Sequence, residues 1–132
     1  MKYKTLEEAA KAGVAPWDLK VNELSDFHVA VFQDRFPVAQ GHLLFVPMYN
    51  TGAMIKDCFM SAYYYGQKLV EEGKCDAFNV GINMGKAAGQ TVMYPHVHLI
   101  PRHNGDCEDP VGGVRGVIAG QANYHKDTYQ QP

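Results

Sequence analysis

Two apolar runs stand between turn-forming residues early in the chain: Phe27-His28-Val29-Ala30-Val31-Phe32-Gln33 and His42-Leu43-Leu44-Phe45-Val46. Their length and their β-branched and aromatic content predict strands. Asp34-Arg35-Phe36-Pro37 turns the chain after the first run, since proline cannot continue a central ladder. Gly41 introduces the second run and Pro47 stops it, so an antiparallel pair across a longer loop is expected. From Asp57 to Glu72 the period changes. Phe59, Ala62, Tyr63, Gly66, Leu69 and Val70 recur at three- and four-residue steps, the spacing of one helix face, and Gly73 is a natural stop. Ala77 to Asn83 and Val97 to Pro101 predict a third and a fourth strand, and Val114 to Ile118 a short further one. Near the start, Thr5 to Ala12 predicts a short helix, capped by Thr5, with Glu7 and Glu8 in its first turn and Gly13 at its end. Strands, a long helix, then strands indicate α+β with an antiparallel sheet rather than a βαβ wind. Beyond Arg102, glycines, prolines and acids accumulate and predict a loop-rich tail from about residue 103.

Composition narrows the class. A chain of 132 residues, 46% apolar and 20% charged, fits one soluble domain with a sizeable core, here spanning 1–132. A net charge of −2 leaves no basic footprint, so nucleic acid is not expected as a partner. Cys58, Cys75 and Cys107 are odd in number and far apart, which argues against a zinc knuckle or a dithiol motif and fits a reducing compartment. The N-terminus carries no apolar core of a signal peptide, and no stretch is long enough to span a bilayer. A cytoplasmic protein without a membrane partner is therefore expected, by default.

The candidate chemistry lies in Gln90-Thr91-Val92-Met93-Tyr94-Pro95-His96-Val97-His98-Leu99-Ile100-Pro101-Arg102. On a strand, His96, His98 and Ile100 share one face, and Val97 and Leu99 the other. On a helix the two imidazoles would splay roughly 200° apart. A glycine-rich polar run, Asn83-Met84-Gly85-Lys86-Ala87-Ala88-Gly89-Gln90-Thr91, comes just before. Glycine allows close backbone approach to an anion, and Asn83, Gln90 and Thr91 add neutral donors. The run lacks the Gly-Lys-Ser/Thr ending of a P-loop. The spacing alone leaves three readings open: a nucleophile beside an anion site, structural histidines, or a metal half-site completed by His42, His28 or His103.

Two blocks add specificity. Asn83-x-Gly85-x-x-x-Gly89-Gln90-Thr91-Val92, followed by His96-x-His98-Leu99-Ile100-Pro101-Arg102 and Gly105-Asp106, resembles the signature region of the histidine triad (HIT) family. Upstream, Asp34-x-x-Pro37-x-x-x-Gly41-His42-x-Leu44-x-x-Pro47 resembles the family's other marker. The tail from Gly105 to Ile118 is similar to that of bacterial members described as diadenosine polyphosphate hydrolases. The family's His-x-His-x-His would fall on 94, 96 and 98, so Tyr94 replaces its first histidine. Pro95, Gln40 and Asn50 are further departures.

The resemblance implies a HIT fold, with an antiparallel sheet of about five strands, one long helix and a short N-terminal one, in a homodimer. It implies a nucleotide hydrolase or nucleotidyl transferase acting at the α-phosphate of dinucleoside polyphosphates or nucleoside phosphoramidates, with a purine nucleotide as substrate. His96 matches the family's nucleophile and His98 the histidine that donates to a phosphate oxygen or the leaving group. His42 matches the outlying active-site histidine, and Tyr94 still supplies the backbone carbonyl that braces the nucleophile. Asp34 matches the acceptor of the ribose hydroxyls, and Gln90, Thr91 and Asn83 the donors around the phosphates. Phe32, two residues before Asp34 on its face of the strand, is a candidate contact for the base, although a phenylalanine so placed is more often a core residue. No metal cofactor is required, although Mg²⁺ is compatible with a polyphosphate substrate. The replaced histidine also motivates an alternative, a nucleotide-binding module with little turnover. The aromatic stripe Phe59, Tyr63, Tyr64 fits either a core or the dimer interface.

Overall fold

The computed structural model describes residues 3–125. Helix α1 spans Leu6–Lys11, and the Thr5 Oγ1 accepts from the Glu8 backbone N–H at 3.1 Å, satisfying a donor the helix leaves open. Strands β1 (Val29–Gln33), β2 (Leu43–Pro47), β3 (Ala77–Ile82) and β4 (Val97–Arg102) form a sheet in the order β1-β2-β4-β3, every pair antiparallel. The α2 helix, Gly52–Glu71, packs on one face.

Both faces of β1 and β2 are covered, which is why they read as apolar runs rather than as alternating ones. Val29, Val31, Leu43 and Phe45 face Cys58 and Ala62 of α2, together with Val97 and Leu99 of β4. Ala30, Phe32, Leu44 and Val46 face the other way, against Leu6 and Ala9 of α1, Ala15 and Tyr94. β4 alternates strictly between buried and half-buried positions. That alternation is the period-two reading of His98 and Ile100 against Val97 and Leu99, realised in the sheet.

Three expectations need correction. Four strands form the sheet, and Val114–Ile118 is not one of them. Gly113–Val117 is a short 3-10 helix, entered through Gly112 at φ +92° and closed by Arg115 N–H donating to the Gly112 carbonyl. Its side chains Val114 and Val117 stand in solvent, so the local apolar spacing had no sheet to join. Extended backbone appears elsewhere instead: Lys20 bridges Phe32, with the Gln33 N–H donating to Leu19 O at 2.8 Å and the Val21 N–H to Val31 O at 2.7 Å, along the outer edge of β1.

Helix α2 begins at Gly52 rather than Asp57, because Thr51 caps it by accepting from the Met54 N–H at 3.2 Å. Its first turn carries Met54 and Ile55, four residues before Cys58 and Phe59, so the helical spacing extends back to this cap. The buried stripe is one of small residues, Cys58, Ala62 and Gly66. A Cβ on Gly66 would stand 2.6 Å from the Phe78 ring, so glycine sets how closely α2 approaches β3. The aromatic stripe divides: Phe59 packs against this core, whereas Tyr63 and Tyr64 are exposed.

The described residues divide after Arg102 into two compact units. Within the described part of the second, the Arg115 guanidinium lies 5.0 Å from the Tyr124 ring centroid and Asn123 donates to Asp109 at 2.8 Å. Gly112 is held against the Ala122 carbonyl where no Cβ fits. Among the described residues no helix is long and apolar enough to cross a membrane.

Candidate active site

The β2–β4 register sets Leu44 opposite His98, which brings the start of β2 beside the start of β4. His42, just before β2, is buried, and so is His96, just before β4. Gly41 at φ +83° supplies the left-handed turn that delivers His42, and the Val38 N–H donates to the His42 Nδ1 at 3.2 Å. A backbone N–H only donates, so this Nδ1 is the acceptor nitrogen and the His42 proton resides on Nε2.

That one assignment propagates. The His42 Nε2–H donates to the His98 Nδ1 at 2.9 Å, which places the His98 proton on its Nε2. The His98 Nε2 is buried and is without a hydrogen-bond partner among the described residues. A buried N–H left open costs free energy unless a ligand accepts from it. His96 is ordered oppositely. Its Nδ1–H donates to the Tyr94 carbonyl at 2.8 Å, so its Nε2 carries a lone pair. The His96 and His98 ring centroids are 5.2 Å apart. One site thus holds a nucleophilic nitrogen beside an unpartnered donor nitrogen.

Electrostatics keep the cluster neutral. Burial pulls the His96 and His42 pKa values below the ordinary 6.5, opposed at His96 by its bond to the Tyr94 carbonyl and then by Asp34, and at His42 by Asp34. His98 is pushed down to about 4, first by burial and then by His96 and His42. The thiol of Cys58 is pushed the other way, up to about 12, mainly by burial, which leaves it inert.

The remaining candidates take distinct places. Asp34 Oδ1 accepts from the Phe36 N–H at 2.8 Å, the turn expected of it, while its Oδ2 lies 3.4 Å from His42 Nε2. Phe32 is buried in the core against Trp17. The Tyr94 ring is wholly buried and its hydroxyl donates to the Pro47 carbonyl at 2.7 Å. Gln90 is a buried brace, since its Oε1 accepts from the Gly85 N–H at 2.7 Å and its Nε2 donates to Val92 O at 3.0 Å. It closes the loop that carries Thr91, which is exposed, while Asn83, half-buried, follows the end of β3. Asn50 donates to the Tyr3 carbonyl at 3.1 Å and so ties down the N-terminal segment.

Of the three imidazoles offered as completing a metal site, His28 pairs with Asp57 at 3.0 Å and His103 belongs to the tail unit. Asp34, His42 and His98 do present ligand-type atoms within 4.8 Å of one another among the described residues. As they stand, the two imidazoles share a proton, which a metal ion would have to displace. Trp17 went unread in the sequence. It is the chain's single tryptophan, and its ring lies 4.9 Å from that of His96.

A family model described as HIT domain matches residues 23–105. An adenosine 5'-monophosphoramidase of Saccharomyces cerevisiae is 38% identical over 98 residues, covering 72% of this chain and 60% of that protein. An asymmetrical bis(5'-nucleosyl)-tetraphosphatase of Schizosaccharomyces pombe is 34% identical over 84 residues, 58% of this chain and 46% of the other. The matched part therefore spans roughly half the length of these curated relatives. Among solved structures, a Zn-bound histidine triad family protein from Mycobacterium smegmatis superposes with a TM-score of 0.63 at 26% identity, covering 76% of each chain. A HIT family protein from Bacillus anthracis gives 0.60 at 28% identity, covering 77% of this chain and 75% of the other.

Proposed function

The chain belongs to the HIT-domain family, and from that premise we propose that it is a nucleotide hydrolase or nucleotidyl transferase working through His96. Its substrates are dinucleoside polyphosphates or nucleoside phosphoramidates, cleaved at the α-phosphate. The observation that carries this reading is the opposed proton order of the two imidazoles: a lone pair on His96 Nε2 and an open N–H on His98 Nε2.

The step follows from those atoms. The His96 Nε2 lone pair forms a bond to the α-phosphorus as the bond to the leaving group breaks, and the leaving group departs with its electron pair. The positive charge that develops on His96 is shared with the Tyr94 carbonyl through Nδ1–H. The His98 Nε2–H, itself shielded from water, donates to the oxygen on which negative charge grows. Water then bonds to phosphorus, the P–N bond breaks with its electrons returning to His96, and the water's proton passes to solvent. Two displacements leave net retention at phosphorus. Asp34 accepts from the ribose hydroxyls while holding His42 in line, Asn83 and Thr91 serve the phosphates, Gln90 serves them by bracing the loop that carries Thr91, and Phe32, packed in the core, backs the base.

No metal is needed for these steps, although Mg²⁺ is compatible with a polyphosphate substrate. A homodimer is part of the proposal. The Lys20 segment covers the β1 edge, whereas no described strand pairs with the outer edge of β3, and Tyr63 and Tyr64 of α2 are exposed. A reducing, cytoplasmic setting suits three cysteines that form no disulfide. A second reading, a nucleotide-binding module with little turnover, is motivated by Tyr94 standing where the family pattern has a histidine.

The deciding experiment is product chromatography after incubation with diadenosine tri- and tetraphosphate and an adenosine phosphoramidate, with and without EDTA. AMP release that survives EDTA on at least one substrate is expected. Nucleotide binding without release on any of them would favour the module.

The lowered imidazole pKa values make a second prediction. His96 must be neutral to attack, and the folded protein holds it neutral to a lower pH than a free imidazole. The acid limb of kcat/KM is expected below pH 6.5. A limb at or above that value would show that the Tyr94 hydrogen bond and Asp34 together outweigh burial.

A further inference from the structure

Trp17 has no part in the steps above, yet its ring is 4.9 Å from His96, tilted by 58°. We propose that Trp17 is a positioning residue that fixes the swing of the His96 imidazole, so that Nε2 points at the α-phosphorus. The inference rests on the reading of His96 as nucleophile and deepens it.

One hydrogen bond does not immobilise an imidazole. The Nδ1–H···O bond to the Tyr94 carbonyl fixes one end of the ring and leaves it free to tilt about that contact. A second neighbour must stop the tilt. His98 lies at 5.2 Å, but its own ring is tied to His42 and carries the donor the site needs. The indole is the other aromatic ring against it.

The segment bearing Trp17 is built to hold it still. On its N-terminal side, the Val14 and Ala15 N–H groups both donate to the Ala9 carbonyl at the end of α1. On its C-terminal side, Leu19, Lys20 and Val21 are tied to β1. Trp17 lies between these anchors, half-buried, and also rests against Phe32 at 6.0 Å. Its flat apolar ring meets the imidazole at a 58° tilt, and aromatic contacts prefer defined tilts. A small misplacement of a reacting atom costs rate far more than it costs binding.

The test compares Trp17→Leu, which keeps apolar volume without a flat ring, with Trp17→Phe, which keeps a ring. Trp17→Leu is expected to lower kcat about 10- to 100-fold with far less change in KM, and Trp17→Phe to recover most of it. ¹⁵N shifts of the His96 ring, read without substrate, are expected to show one dominant Nδ1–H form in the wild type and Trp17→Phe. Trp17→Leu is expected to show averaging. Unchanged ¹⁵N shifts in Trp17→Leu would overturn the proposal, as would a loss confined to KM, which would make Trp17 a binding wall. Because the NMR readout needs no turnover, a wild type that releases no AMP would sink the nucleophile reading while still deciding what Trp17 does to the ring.

Discussion

Replacing His96 by alanine is expected to reduce turnover by roughly four or more orders of magnitude, the scale on which loss of a covalent nucleophile acts. The expectation rests on the free lone pair. Of the three clustered imidazoles, His96 alone has its Nδ1 proton committed to a carbonyl, leaving Nε2 open for attack. The Nε2 of His42 and of His98 both carry protons, as the Val38 bond and the relay dictate. Neither can replace the nucleophile without reversing the whole chain of bonds. Binding is expected to persist, because Asp34 keeps its own anchor on the Phe36 N–H. The direct measurement is an acid-quenched single turnover with a substrate labelled in the α-phosphate. Label should be held covalently on the wild type and be absent from the variant. A His96→Ala protein that turns over at the wild-type rate would remove His96 from the reaction.

Tyr94→His is expected to lower stability by about 3 kcal/mol and to bring no gain in rate. The Tyr94 ring is wholly buried in the cluster with Leu6, Ala9, Ala15, Phe32 and Leu44. Its hydroxyl, whose pKa is raised chiefly by burial, remains a donor to the Pro47 carbonyl at 2.7 Å. An imidazole there is smaller and polar, and it leaves both a void and a buried group without its partner. Tyr94→Phe keeps the ring and forfeits only the hydroxyl, so a loss of about 1–2 kcal/mol is expected from it. What His96 needs from position 94 is a backbone oxygen, which every residue supplies. Urea unfolding of the three proteins, paired with single-turnover rates, checks both halves. A Tyr94→His protein that is as stable as the wild type and faster would show that the side chain, not the carbonyl, limits the reaction.

Legibility followed the range of the interaction. β1 and β2 were readable because each is a short apolar run, and Thr5 because its capped neighbour is three residues away. The face shared by His98 and Ile100 followed from the period of a strand. The early start of α2 was equally local, carried by the Thr51 cap and by Met54 and Ile55, which extend the helical spacing back from Cys58 and Phe59. Val114 to Ile118 failed for the opposite reason. Its spacing suits a strand, yet a strand needs a neighbour, and Gly112 bends the chain into a turn.

The sequence by itself determined the elements, their order and the kinds of side chain available to the site. Periodicity, caps and turn residues act over a few positions and need no fold to be read. Tertiary structure alone decided which nitrogen of each histidine bears its proton. A proton's place is set by the partner group, and the partner of His98 is 56 residues away in the chain. It also decided that Trp17 flanks His96, that the Tyr94 hydroxyl reaches Pro47, and that Gln90 spends its amide on the loop. These contacts exist only after distant segments have been brought together by burial of the two apolar faces of the sheet, which no local pattern encodes.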